Sequence, residues 1–217
     1  MKEADVAMIH TPASERLYDS PLLINKPKQA RSNQRVAALL DAAAAVVQRQ
    51  GYENLTTADV AQQAGASIGT VYRYFKDRVA VLEALATRNF ERTDLQLRKA
   101  LDGNHADAKS AIASLFDMYL ELFRKETGYR SIRLGDVLDI RPHDKAPWSR
   151  QAAHTVVIVL HEKFDCENDD AAITRLEQGF VLVDALLARA FWDTDKGDQA
   201  FIDAARQVAE YVANDFR

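Results

Sequence analysis

The chain has 217 residues with 47% hydrophobic and 28% charged side chains, a size and balance that allow a buried core, and no apolar run approaches the roughly 18 residues of a membrane span. Its one cysteine, Cys166, excludes an internal disulfide and favours a cytoplasmic location, and with five scattered histidines it predicts no metal site. The net charge of −4 is uneven: residues 26–92 carry ten Lys and Arg against six Asp and Glu, a net of +4, so only this stretch is expected to face a polyanion.

The predicted elements are all helices, about nine in number. Residues 1–26 are polar, contain prolines and show no sustained period, so they are interpreted as a flexible N-terminal arm. From residue 29 onward apolar residues recur at helical spacing, interrupted by glycines, prolines and capping residues. Helices are expected at 29–50, 57–64, 68–75, 78–102, 112–127, 132–138, from 147, from 170 to about 197, and from 198. The β-branched run 155–160 is assigned to a helix, because no partner strand is present.

The second and third of these helices are short and close together. Thr56 and Asp59 have the spacing of an N-terminal cap, Gly65 supplies a turn, and Ser67 caps the next helix. Two short helices joined by a glycine-containing turn define a helix-turn-helix. The second helix of such a pair enters the major groove of DNA.

The predicted DNA-contacting residues are small side chains at the start of the third helix, followed by hydroxyls and cations able to bind phosphate oxygens. They are Thr57, Ser67, Ile68, Gly69, Thr70, Tyr72, Arg73, Tyr74, Lys76 and Arg78. From these residues alone, a three-helix bundle that binds nothing, with its tyrosines half-buried, is an equally good interpretation.

The full string from residue 29 to 92 resembles the DNA-binding domain of the tetracycline-repressor (TetR) family. The matching residues are Gly51-Tyr52, Leu55-Thr56-Thr57, Val60-Ala61, Ala64-Gly65-Ala66-Ser67, Gly69-Thr70 and Val71-Tyr72-Arg73-Tyr74-Phe75. The resemblance implies that Thr57, Thr70, Tyr72 and Tyr74 lie at DNA contacts. The chain departs from the family at Arg78, where a phosphate-binding lysine is usual, and at Val79-Ala80, where an acidic residue is usual.

The helix that begins near Asp170 is apolar on two stripes, so it must be buried on two sides. The resemblance implies that this helix and the last one form a four-helix bundle across the two-fold axis of a dimer. The predicted dimer residues are Gly179, Phe180, Val183, Leu187, Phe201, Ala205, Val208 and Val212. The alternative is that both stripes serve the core of one chain.

The resemblance also implies a ligand cavity among the central helices. Candidate lining residues are the aromatic, sulfur and imidazole groups Phe116, Met118, Tyr119, Phe123, Trp148, His154 and Phe191. Each has the alternative of being ordinary core. No phosphate loop, zinc-binding helix or nucleophile–base pair is present, so neither an enzyme nor a cofactor is expected.

The expected organisation is an arm (1–26), a three-helix DNA-binding domain (27–76), and a helical bundle for ligand sensing and dimerisation (77–217). The expected function is a ligand-responsive, homodimeric transcriptional repressor of a palindromic operator. Its expected partners are double-stranded DNA, a second copy of the chain and an unknown small-molecule effector, with no membrane partner. The alternative keeps the DNA-binding domain but makes the C-terminal part a docking surface for another protein.

Overall fold

A computed structural model of the chain describes residues 23–24, 30–133 and 146–216. Within this part of the chain the structure contains eight α-helices and no strand. They are α1 (Ala30–Gln50), α2 (Thr57–Gln63), α3 (Ile68–Tyr74), α4 (Arg78–Leu101), α5 (Ala108–Lys125), α6 (Trp148–Phe164), α7 (Asp170–Ala190) and α8 (Gln199–Ala213). The chain divides into two compact units, Met1–Arg92 with Thr127–Arg133, and Thr93–Glu126 with Leu134–Arg217.

The first unit is built on α1, which packs against α2, and α2 in turn packs against α3. The buried core of this unit contains apolar side chains from all three helices and from Phe75 just after α3. They include Val36, Leu39, Leu40, Val46, Val47, Val60, Val71 and Phe75. The short segment that follows α5 also belongs to this unit. In it the Gly128 N–H donates to Gln48 Oε1 at 3.1 Å, and Asn89 Nδ2 donates to the Ile132 carbonyl at 2.8 Å.

The second unit is a helical bundle of α5, α6, α7, α8 and the last part of α4. Its core is aliphatic and includes Leu97, Leu101, Ile112, Leu115, Val156, Val157, Leu160 and Leu176. At the edge of this core Arg150 of α6 donates to Glu177 Oε2 of α7 at 2.8 Å. The Arg150 pKa is raised above its ordinary value, first by that hydrogen bond.

The structure confirms an all-α fold, including helix over residues 155–160. One detail of the prediction is wrong: the helix after Asp169 ends at Ala190 rather than near Gly197. No described helix has the length and apolar content to cross a membrane.

Two predicted segments fall largely outside the described residues. The short element at 132–138 is described only to residue 133, and the arm at 1–26 only at residues 23 and 24. Leu23 is buried and the Ile24 N–H donates to the Tyr74 carbonyl at 3.0 Å, so these two residues are docked on the first unit. The domain boundary between residues 76 and 77 stays a prediction.

Candidate nucleic-acid interface

Helices α2 and α3 each begin at the predicted cap. Thr56 Oγ1 accepts a hydrogen bond from the Asp59 N–H at 3.1 Å, and Ser67 Oγ accepts one from the Thr70 N–H at 3.2 Å. The Thr56 hydroxyl in turn donates to Asp59, and this bond is the main reason that the Asp59 pKa lies below its ordinary value. The two cap bonds, from the Asp59 N–H to Thr56 and from the Thr70 N–H to Ser67, each join residues only three apart. Local sequence therefore determines where the two helices start.

The N-terminal end of α3 is open to solvent. Ser67, Ile68 and Gly69 are exposed, and Thr70 is half-buried. A Cβ placed on Gly69 would meet no atom closer than Ser67 Oγ, at 3.8 Å. The fold therefore leaves this end of the helix free to approach another surface, as recognition through base edges requires.

The hydroxyl-bearing predicted residues are divided between surface and interior. Tyr72 is 49% exposed, whereas Tyr74 is only 7% exposed and belongs to the core. Thr57 is 9% exposed, and its hydroxyl donates to Tyr72 Oη at 3.2 Å. The structure thus joins Thr57 with Tyr72 through a hydrogen bond, whereas Tyr74 is buried.

The three predicted cations follow the exposed end of α3 along the chain. Arg73, Lys76 and Arg78 are all exposed. Arg78 Nη1 donates to the Glu53 carbonyl at 2.8 Å, so this side chain also links the start of α4 to the loop before α2. A surface with exposed hydroxyl and cationic groups beside a helix end of small side chains can bind phosphate oxygens and approach bases.

The predicted ligand residues lie mostly in the interior of the second unit. Phe116, Tyr119, Phe123 and Phe191 are buried, while Met118, Trp148 and His154 are half-buried. Phe123 contacts Tyr119 edge-on at 5.4 Å and stacks with Phe191 at 5.7 Å between ring centroids. The Tyr119 hydroxyl donates to Asp184 Oδ1 at 2.6 Å, a polar contact that the sequence did not reveal.

A cavity of about 40 Å³ lies among α5, α7 and α8, and only Phe116 and Tyr119 of the predicted ligand residues line it. This volume holds a few water molecules at most, since one water needs roughly 10–15 Å³. A larger open cleft of about 710 Å³ lies at the end of α8, and it is lined by none of the predicted ligand residues. In the described residues, no cluster of His, Cys, Asp and Glu has the composition of a metal site.

Half of the predicted dimer residues are buried within one chain, so the structure gives them a role in the core of the second unit. Gly179, Val183, Leu187 and Ala205 belong to the interior of the second unit. A Cβ on Gly179 would come within 3.0 Å of Val212 Cγ2, so this glycine accommodates α8 of its own chain. Phe180, Phe201, Val208 and Val212 are half-buried, and Gly179, Phe180, Val183 and Val212 line the 40 Å³ cavity.

Other apolar side chains of α7 do reach the surface, among them Val181, which is 44% exposed. Leu182 is 53% exposed and Leu186 half-buried on α7. Arg189, seven residues after Leu182 and therefore on the same side of the helix, lies over the Phe201 ring of α8 at 5.1 Å. We call the surface formed by these apolar side chains the α7–α8 face, and its residues are Leu182, Leu186, Phe201, Val208 and Tyr211. Sequence reasoning missed Tyr211, although it lies three residues after Val208.

Two family descriptions match the chain. Residues 39–85 match the bacterial regulatory proteins of the tetR family, and residues 106–212 match the tetracyclin repressor-like C-terminal domain. Together they cover both the helix-turn-helix and the α5–α8 bundle.

Individual relatives agree with this assignment. The chain is 36% identical over 84 residues to the HTH-type transcriptional repressor KstR of Rhodococcus jostii. The matched residues make up 39% of this chain and 37% of that protein. It is 37% identical over 67 residues to KstR of Mycolicibacterium smegmatis, 31% and 33% of the two chains. It therefore spans about a third of the length of the curated relatives that it matches.

A solved structure extends the similarity to nearly the whole chain. The TetR-family transcriptional regulator from Streptomyces coelicolor superposes with a TM-score of 0.67 at 25% identity, covering 83% of this chain and 98% of that one. A regulator of the family from a Rhodococcus species shares the fold, with a TM-score of 0.63 at 20% identity over 83% and 99% of the two chains. The chain belongs to the TetR family of bacterial regulatory proteins.

Proposed function

We propose that this protein is a cytoplasmic transcriptional repressor that binds a palindromic operator as a homodimer and releases it when a small molecule binds the second unit. The observation that carries the proposal is the exposed start of α3, where Ser67, Ile68 and Gly69 face solvent next to Tyr72 and Arg73. The major groove of B-DNA, about 12 Å wide, admits such a helix. The similarity to KstR repressors supports repression, and the proposal contains no catalytic step.

The proposal is tested by selecting duplexes from randomised DNA with the wild-type protein. Two recognition helices related by a two-fold axis read half-sites about 10–10.5 base pairs apart, or multiples of that spacing. We expect the enriched pool to contain a palindrome with such spacing. A pool with no shared sequence would contradict the proposal.

Arg73→Ala is expected to weaken binding to the enriched duplex and to reduce its salt dependence. Each phosphate contact made by a cation contributes about 0.9 to the slope of log K against log salt, and a homodimer carries the substitution twice, so the slope should fall by about 1.8. Titrations at four or more salt concentrations measure it. The matched control is Arg124→Ala, which removes an equally charged, exposed side chain from α5 and should leave the slope unchanged. Equal slopes for wild type and Arg73→Ala would remove Arg73 from the interface.

Gly69→Ala is expected to stabilise the protein while weakening DNA binding. Glycine inside a helix costs about 0.5–1 kcal/mol relative to alanine, and the space around Gly69 is open, so the fold gains from the exchange. A methyl group on the surface proposed to face the groove should lower affinity about tenfold. Thermal melting and duplex titration measure the two effects. A variant that is more stable and binds equally well would show that α3 does not closely approach the bases.

The homodimer is proposed to form through the α7–α8 face. Leu182 and Tyr211 are 53% and 72% exposed in the single chain, and a second copy would cover both. Because a two-fold interface uses the same patch on both copies, the apolar residues of one face would pack against those of the other. The two DNA-binding units would then be available to one palindrome.

The effector is proposed to be a small apolar or amphipathic molecule that binds beside the aromatic cluster of Tyr119, Phe123 and Phe191. Pockets for small ligands measure about 300–1,000 Å³. The 40 Å³ cavity is much smaller, so binding would require α5, α7 or α8 to move. By linkage, DNA lowers the affinity for the effector by the same factor as the effector lowers the affinity for DNA. The coupling free energy is about 1–3 kcal/mol in typical cases.

A further inference from the structure

We infer that Thr57 is a positioning residue for DNA binding: it holds the hydroxyl of Tyr72 and does not itself contact the phosphate backbone. The inference rests on the proposed DNA-binding function and assigns the role of one residue within it. It departs from the expectation that Thr57 is a phosphate ligand in its own right. Thr57 is 9% exposed, whereas Tyr72 is 49% exposed, so only the tyrosine offers substantial surface to a duplex.

The hydrogen bond between the two residues has a direction that suits this role. Thr57 Oγ1 donates to Tyr72 Oη at 3.2 Å. A tyrosine hydroxyl has one hydrogen to donate and can also accept. Since the bond from Thr57 uses an acceptor position of Oη, the hydrogen of Tyr72 stays available for an external acceptor such as a phosphate oxygen.

The bond also joins the two helices of the motif. Thr57 is the first residue of α2, and Tyr72 is the fifth of the seven residues in α3. An exposed tyrosine loses side-chain freedom when it binds a partner. The contact with Thr57 restrains the ring before DNA arrives. Hydrogen bonds in a chain also strengthen one another, so an accepting hydroxyl is a better donor.

A double-mutant cycle separates positioning from direct contact. Wild type, Thr57→Val, Tyr72→Phe and the double variant are titrated with the duplex enriched by the wild-type protein at four or more salt concentrations, and their affinities are compared at one of them. We expect about a fivefold loss for Thr57→Val, about a tenfold loss for Tyr72→Phe, and no further loss for the double variant. Valine has nearly the shape of threonine, so α2 should remain intact.

Two control variants keep the cycle specific to the hydroxyl. Thr57→Ser retains the donor and should bind within about twofold of wild type. Thr87→Val removes a hydroxyl from the same unit, one that donates to the Glu83 carbonyl at 2.9 Å, and should leave affinity unchanged. Because neither Thr57 nor Tyr72 is charged, the salt slope should be the same for all four proteins of the cycle.

The outcomes distinguish this inference from the proposed function. Losses that multiply to about fiftyfold in the double variant would show that Thr57 acts independently of Tyr72 and would overturn the inference while leaving DNA binding intact. A wild-type protein that enriches no sequence would overturn both.

Discussion

Leu182→Glu is expected to convert the dimer into a monomer and to weaken operator binding at least a hundredfold. Leu182 is 53% exposed on the α7–α8 face, so the single chain tolerates the new carboxylate. In a two-fold interface each substitution occurs twice, and both charges would lose water without a partner. A monomer also loses the increase in affinity, about 10²–10⁴-fold, that a dimer obtains by binding two linked half-sites at once. Light scattering measures the first effect and duplex titration the second.

The matched control for this variant is Leu95→Glu. Leu95 is 45% exposed on α4, so the same change in charge and size is made at a site of similar exposure outside the α7–α8 face. Such a surface substitution usually changes stability by no more than about 0.5 kcal/mol. We expect this control to remain dimeric and to bind DNA as wild type does. A Leu182→Glu protein that stays dimeric would locate the interface elsewhere.

The features predicted correctly from the sequence depend on contacts between close neighbours in the chain. The caps formed by Thr56 and Ser67 each involve an N–H group three residues away, and the structure contains both bonds. The last helix, expected from residue 198, likewise begins at a local cap, because the Asp198 side chain accepts a hydrogen bond from the Ala200 N–H two residues later. Local hydrogen-bond chemistry determines where these helices begin, whatever the rest of the chain does.

The different burial of the two tyrosines of α3 follows from helix geometry, which the prediction from the sequence did not apply to them. Successive residues of an α-helix are separated by about 100°, so Tyr72 and Tyr74 point about 200° apart. The two side chains therefore lie on nearly opposite sides of one short helix. The structure exposes Tyr72 and buries Tyr74, in agreement with that geometry.

Contacts distant in sequence account for what could not be predicted. Both stripes of α7 are apolar, and periodicity alone does not tell which one faces the core of its own chain. Gly179 packs against Val212 of α8, which no local pattern reveals. The segment after α5 is a second example, because its Gly128 contacts Gln48 in a helix 80 residues earlier.

Gly128→Ala is expected to destabilise the first unit by about 3 kcal/mol, the combined effect of a disfavoured backbone conformation and an overpacked contact. Gly128 has φ of +73°, and an added Cβ would lie 2.7 Å from the Ala44 carbonyl oxygen and 3.0 Å from Ala44 Cα. These are backbone atoms of α1 and cannot rotate away as a flexible side chain could. For a chain of this length we expect the melting temperature to fall by about 6–12 °C, measured by circular dichroism.

Gly65→Ala separates the two contributions, because Gly65 shares the backbone conformation but not the contact. Its φ is +59°, and an added Cβ would meet nothing within 4 Å. Only the cost of the left-handed conformation, about 1–2 kcal/mol, should then remain. The difference between the two variants therefore measures how tightly the segment after α5 packs on α1. If both variants melt at the same temperature, that packing yields easily, and Gly128 is required by the turn alone.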